Sequence, residues 1–239
     1  MSGHSHFKTV AATKNANDAK RGKIFSKMAR VITIAVKEKG PDPSINMQLK
    51  SAIEQAKRFN LPKENIERAI KKGTGELAGE NLEEVSFEIF GPGGVSVIID
   101  GITDNKNRTI SEIKTITGKY GGKMAGEGAV KWMFKRKGCI VVSPENKKTE
   151  EIELIAIEAG AQDFLAQEKD ILIYTNPEDS EKVKKTLEEN GLKIESVSLD
   201  WVAGENISIS DGEKESLKKL FEALDENDAV QNIYSNIKI

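Results

Sequence analysis

CIVVSPENKKTEEIELIAIEAGAQDFLAQEKDILIYTNPEDSEKVKKTLEENGLKIESVSLDWV, residues 139–202, is the stretch whose changes of period decide the fold. The apolar run CIVVS predicts a strand, and Glu150 to Glu158 then carries apolar residues at helical spacing. A strand near Phe164 and a second, ILIYT, follow; Glu178 to Glu189 predicts another helix and KIESVSLDWV a last strand. Asn176-Pro177 and Gly191 punctuate the second helix at its start and stop. The order β-α-β-β-α-β is that of a ferredoxin-like unit, which closes on itself as four strands with two helices on one face. Residues 138–203 are therefore expected to form a self-contained domain. The aromatic-rich K/R-G-F/Y strand of an RNA-recognition motif is absent from it, and aromatics are only 5% of the chain. Cys139, the single cysteine, lies in an apolar run and is expected as a small core residue.

Before this stretch, Val85, Phe87 and Ile89 alternate with polar residues, Gly91-Pro92-Gly93-Gly94 turns the chain, and VSVIID returns as a second strand. No GK[ST] follows these glycines, so they are not a phosphate-binding P-loop. A helix through Ile110, Ile113 and Tyr120 ends at Gly121-Gly122, and after KMAGEGA a strand is expected to present Val130, Trp132 and Phe134 on one face. Three strands with one helix leave a sheet face poorly covered. A C-terminal helix bearing Leu217, Leu220, Phe221 and Leu224, and a strand ending in VQNIYSNIKI, can complete it. The expected organisation is thus a discontinuous α/β domain, 80–135 and 205–239, with the 138–203 domain inserted, and its mark would be Phe221 packed near Val97.

The N-terminal third differs in kind. Residues 1–19 predict an arm with little periodicity; Lys8 and Lys14 are its cationic candidates, and His4 and His6 lack the neighbours that would complete a metal shell. Residues 20–75 predict a basic bundle of three helices. DAKRGKIFSKMARVITIAVK (18–37) carries two stripes at helical spacing: Lys20, Lys23, Lys27, Arg30 and Lys37, with Arg21 beside them, and Phe25, Met28, Ile32 and Ala35. Gly40-Pro41 stops this helix. Asp42-Pro43 is expected to cap and start a second one, with Ile45, Leu49, Ala52, Ile53 and Ala56 inward and Lys50, Lys57 and Arg58 outward. A third opens around Pro62, packs through Ile66, Ala69 and Ile70, and closes at Gly73; Arg68, Lys71 and Lys72 near its end either complement the dipole or meet a ligand. In DNKNRT (104–109), Asp or Asn either caps the next helix or Lys106 and Arg108 hold a phosphate at its N-terminus.

Charge separates the function classes. Residues 1–77 hold 16 Lys and Arg against 7 Asp and Glu, while the remainder holds 20 against 31, so a net charge of −2 hides a basic end on an acidic body. With few acids at matching positions on the first helix, its cationic stripe is expected to lack an internal partner and to meet an external polyanion. No metal-ligand spacing, nucleophile elbow or cofactor motif is present, which points away from an enzyme and predicts neither metal nor cofactor. No apolar run of about 18 residues and no secretory pattern occurs, so a cytoplasmic protein without a membrane partner is expected. Nothing in the chain specifies an oligomeric state or a small-molecule substrate.

GHSH (3–6), DAKRGKIFSKMAR (18–30), LPKENIERAIKKGTGE (61–76), FEIFGPGGVSVIID (87–100), TDNKNRT (103–109) and GGKMAGEGAV (121–130) together resemble the YebC family over nearly the whole chain. The family includes bacterial proteins described as probable transcriptional regulators and a mitochondrial activator of translation of a cytochrome oxidase subunit. The resemblance implies an α+β protein of three domains, a helical N-terminal bundle and two α/β domains with one inserted in the other. It also implies a DNA-binding regulator of transcription or, alternatively, a ribosome- or RNA-associated translation factor. Many members have Lys and Trp where this chain has His6 and Phe7, and basic residues in place of Val10 to Ala12, so the arm here is less cationic. No helix displays Asn, Gln or Arg in a helix-turn-helix context for the major groove, so the expected contacts are to phosphates.

Overall fold

The structure, a computed structural model, describes residues 18–145, 147–167 and 170–238, with side chains from Arg21 onward. Lys8, Lys14, His4 and His6 lie outside the described residues, as does the side chain of Lys20.

Three helices come first: α1 (Asp18–Lys39), α2 (Met47–Arg58) and α3 (Lys63–Gly73). Met28, Ile32 and Ala35 of α1 bury against Leu49, Ala52 and Ala56 of α2 and Ile66 and Ala69 of α3, so the apolar stripes meet as their spacing predicts. α1 ends where Gly40 takes φ +85°, a left-handed conformation glycine adopts without a Cβ penalty. The start of α2 differs from the expectation. Asp42 accepts from the amide of Ser44 at 2.8 Å, its carbonyl accepts from Asn46 at 2.9 Å, and this turn delays the helix to Met47. Asn46 is the cap, accepting from the Leu49 amide at 3.0 Å, and Ile45 projects into solvent at 77% exposure.

Strands β1 (Glu83–Phe90) and β2 (Ser96–Thr103) form a hairpin in continuous register from Phe90 opposite Ser96 to Glu83 opposite Thr103. After α4 (Lys106–Lys119) comes the two-residue β3 (Lys123–Met124), and the chain's last elements, α7 (Asp211–Asp225) and β8 (Val230–Ser235), return to this sheet. Its order is β3-β1-β2-β8, antiparallel throughout. Val85, Phe87, Ile89, Val97 and Ile99 point to one face, where Ile113 of α4 and Leu217, Leu220, Phe221 and Leu224 of α7 cover them. Each such side chain contributes about 1.5–3 kcal/mol on burial, so this face dominates the cohesion of the unit.

The second sheet contains β4 (Phe134–Ser143), β5 (Asp163–Ala166), β6 (Ile171–Thr175) and β7 (Lys193–Ala203) in the order β5-β6-β4-β7, again antiparallel. Helices α5 (Thr149–Ala159) and α6 (Ser180–Glu189) pack Ile152, Ala156, Val183 and Leu187 on the face that carries Ile140, Val142, Ile171 and Ile173. This is the ferredoxin-like arrangement, and the whole is an α+β fold. β4 and β7 pair from Phe134 opposite Ala203 to Ser143 opposite Lys193. Their ends nearest the first sheet bring Phe134 and Ala203 into a cluster with Ile98, Tyr234 and Val130 on that sheet's second face.

No strand displays Val130, Trp132 and Phe134 together. Val130 and Phe134 are buried, Lys131–Met133 forms a single 3-10 turn, and Trp132 is 75% exposed. The cause is Glu88. Its buried carboxylate accepts from the amides of Gly128 at 2.6 Å, Val130 at 2.6 Å and Lys131 at 2.9 Å, removing those donors from any strand ladder. Burial alone would raise the Glu88 pKa, but the three amides outweigh it and hold the carboxyl below its ordinary value.

Candidate nucleic-acid interface

The cationic stripe of α1 has internal partners, contrary to the expectation from spacing alone. Lys27 is 2% exposed, and its ammonium donates to the carbonyl of Asp225 at 2.7 Å and to Oδ1 of the same residue at 3.0 Å. Lys23 pairs with the Glu226 carboxylate and reaches its carbonyl at 3.2 Å. Arg30 donates to the carbonyls of Asp228 at 2.9 Å and Ile102 at 3.3 Å and lies 3.7 Å from the carboxylate of Glu80. Lys37 bonds Asn81 Oδ1 at 2.8 Å and the Leu82 carbonyl at 3.1 Å.

The physical reason lies at the far end of the chain. α7 terminates at Asp225, so its negative dipole end coincides with the carboxylates of Asp225, Glu226 and Asp228. The stripe neutralises that end and seats the bundle on the first sheet, and Ile34, Leu82 and Ile102 form an apolar contact beside it. Burial lowers the Lys27 pKa, with Asp225 opposing the shift.

Arg21 is exposed, its guanidinium 5.9 Å from the centroid of the Phe25 ring. Lys50, Lys57 and Arg58 on α2 and Arg68, Lys71 and Lys72 on α3 are exposed, and none has an ion-pair partner among the described residues. Arg68 and Lys72, one turn apart, share a groove with Arg30, Asn65 and Glu80 whose floor includes Phe25, Ala29 and Ala69. A second cleft places Lys23, Arg30 and Arg108 together, but with Glu112, Glu226 and Asp228 among them. The 104–109 loop is built as a helix cap. Asn105 accepts from the Arg108 amide at 3.1 Å, and the Arg108 side chain pairs with Asp104 and lies 3.7 Å from Glu112. Lys106 is exposed.

The structure thus divides the basic residues into two groups. Lys23, Lys27, Arg30, Lys37 and Arg108 are engaged within the fold. Lys50, Lys57 and Arg58 of α2 and Arg68, Lys71 and Lys72 of α3 face solvent without a carboxylate partner among the described residues, and such cations can neutralise the phosphates of a polyanion. The acidic cluster 225–228 is visible in the sequence, but its position against α1 is not, because about 200 residues separate the two. No described helix is long and apolar enough to cross a membrane.

Comparison with known proteins agrees with this architecture. Residues 5–76 match the family described as TACO1/YebC protein N-terminal domain, and residues 82–237 match TACO1/YebC second and third domain. A probable transcriptional regulatory protein of Thermoanaerobacter pseudethanolicus is 46% identical over 100% of this chain and 98% of its own length. One of Caldanaerobacter subterraneus is 45% identical, with 100% and 99% covered. The crystal structure of a conserved hypothetical protein from Aquifex aeolicus superposes with a TM-score of 0.86 at 45% identity, over 93% of this chain and 92% of that one. Since the two family descriptions span the helical bundle and both sheets, the chain belongs to the TACO1/YebC family.

Proposed function

We propose that this protein is a regulator of gene expression that acts by binding nucleic acid, not by catalysis, and that its ligand is duplex DNA held by the phosphate backbone. The observation that carries the proposal is the set of six exposed cations on α2 and α3 with no ion pair among the described residues. On α2 and α3 the cations outnumber the acids Glu54, Glu64 and Glu67, and Arg68 and Lys72 line one groove with Arg30 and a single carboxylate, Glu80. The name shared by the relatives, probable transcriptional regulatory protein, supports the regulatory role. In this reading the bundle supplies affinity, and the two α/β units carry it to a further partner.

The test is anisotropy of a labelled duplex titrated with the full chain between 50 and 200 mM salt. Reversal of Arg68 and Lys72 to Glu should weaken binding at least about tenfold and flatten the slope of log K against log salt by roughly 2. An unchanged slope would remove α3 from the interface. Tighter binding to structured RNA than to duplex at the upper salt concentration would move the role from transcription to translation.

A further inference from the structure

Isolated exposed aromatics are ordinary on protein surfaces, but Trp132 is held in an unusual way. Its side chain is 75% exposed, yet its indole Nε1 donates to the Ala129 carbonyl at 3.0 Å, which fixes the plane of the ring. The loop beneath is fixed as well, by the three amides on Glu88 and by the Met133 amide on the Val130 carbonyl at 3.0 Å. Immediately downstream, the Gly204 amide donates to the Met133 carbonyl at 2.9 Å. A large apolar ring is therefore kept in water on a rigid support.

Its neighbours along the chain are mostly cationic, although Arg136 lies 3.6 Å from the Asp100 carboxylate. Between Lys119 and Lys137 the chain has six Lys and Arg, and Glu127 is the single acid. Lys131 and Arg136 approach the Trp201 ring at 4.8 and 4.7 Å, so one indole of this region already accepts cations on its π face. Lys135 is exposed and has no ion-pair partner among the described residues. A neutral apolar partner would gain nothing from this charge. A single-stranded nucleic acid complements both features, because its bases offer π faces and its backbone offers phosphates.

We infer that Trp132 is a stacking platform for an unpaired base, with Lys131 and Lys135 meeting the adjoining phosphates. The site lies on the chain between the two sheets and does not rest on the cations of α2 and α3. It gives the protein a contact that selects unpaired from paired nucleotides, since a ring held on the surface reaches a base face only where the base is out of a duplex.

The experiment measures binding of labelled 12-nucleotide deoxyuridine and uridine oligomers, which differ only in the sugar, to the full chain at 50 mM salt. Trp132→Leu should lower affinity about 5- to 150-fold, while Trp132→Phe and Trp132→Tyr, which keep a π face, should stay within about threefold of the parent. Arg68→Glu with Lys72→Glu should leave the Trp132 effect in place, which separates this site from the α3 surface. Preference between the two oligomers identifies the sugar. Equal affinities of the parent and Trp132→Leu, failure of the parent to bind either oligomer, or equal loss in all three Trp132 variants would each overturn the assignment.

Discussion

Lys27 of α1 and Asp225 at the end of α7, 198 residues apart in the chain, are joined by two hydrogen bonds from one buried ammonium, at 2.7 Å to the carbonyl and 3.0 Å to the carboxylate. This contact turns the most cationic helix toward the protein's own acidic end. Lys27→Ala should destabilise the fold by about 2–4 kcal/mol in urea unfolding, because it strands a carboxylate and a helix-terminal carbonyl. Lys27→Met, which keeps the packed stem, should cost less than Lys27→Ala. A double-mutant cycle with Asp225→Ala should show favourable coupling of about 1 kcal/mol or more; additivity would mean the pair is not coupled.

The same lysine predicts an alkaline signature. Burial depresses its pKa in the folded state below the unfolded value of 10.5, so between the two values the unfolded chain binds more protons. Stability should therefore rise with pH through that window in the parent relative to Lys27→Met, and the difference should be flat below it. Parallel stability curves for the two proteins would contradict the depressed value.

Glu88 should govern the acid limb. Its folded pKa lies below 4.5 because three amides favour the carboxylate, so its stabilising contribution is present above 4.5 and is lost as pH falls through the folded value. Glu88→Ala should cost about 2–4 kcal/mol and expose the Gly128, Val130 and Lys131 amides to hydrogen exchange. Retained protection at those three amides would refute the anchor.

Asn46 closes the first inter-helix turn with three bonds, accepting from Leu49 and donating to the carbonyls of Ala35 and Gly40 at 2.7 Å each. Asn46→Ala should lower stability by about 2–3 kcal/mol. Asn46→Asp keeps the cap but turns a carboxylate toward two carbonyls, so it should be no better than Ala; a near-neutral Asp variant would show that the carbonyl contacts contribute little.

Gly138 sits where β4 passes under α6. A Cβ there would lie 1.9 Å from Ser180 Oγ and 2.3 Å from Thr175 Oγ1. Gly138→Ala should cost about 1–3 kcal/mol by displacing the buried pair of hydroxyls, and pairing it with Ser180→Ala should recover part of that loss in thermal melts.

Much of the architecture was legible in residue order because local periods report which face is buried. Val85, Phe87 and Ile89 alternate as a half-buried strand must, and Leu217, Leu220, Phe221 and Leu224 recur at helical spacing; both sets meet in one core. Lys50, Lys57, Arg58, Arg68, Lys71 and Lys72 were likewise identifiable as outward cations from the apolar positions around them.

Local periodicity does not report contacts between parts of the chain that are far apart in sequence. Asp42 and Asn46 are both competent caps, and only the turn made by Asp42 and Ser44 decides that the helix begins after the second. Val130 to Phe134 has the alternation of a strand, but Glu88, more than 40 residues earlier, takes the amides a strand would need.

Short-range spacing was enough for most of the helices and strands, the α+β class and the uneven distribution of charge. Which cations are paired within the fold and which face solvent depends on the tertiary structure. Electrostatic pairing depends on distances through space, and the end of α7 comes within hydrogen-bonding reach of Lys23, Lys27 and Arg30 only once the sheet, α7 and the bundle have packed together.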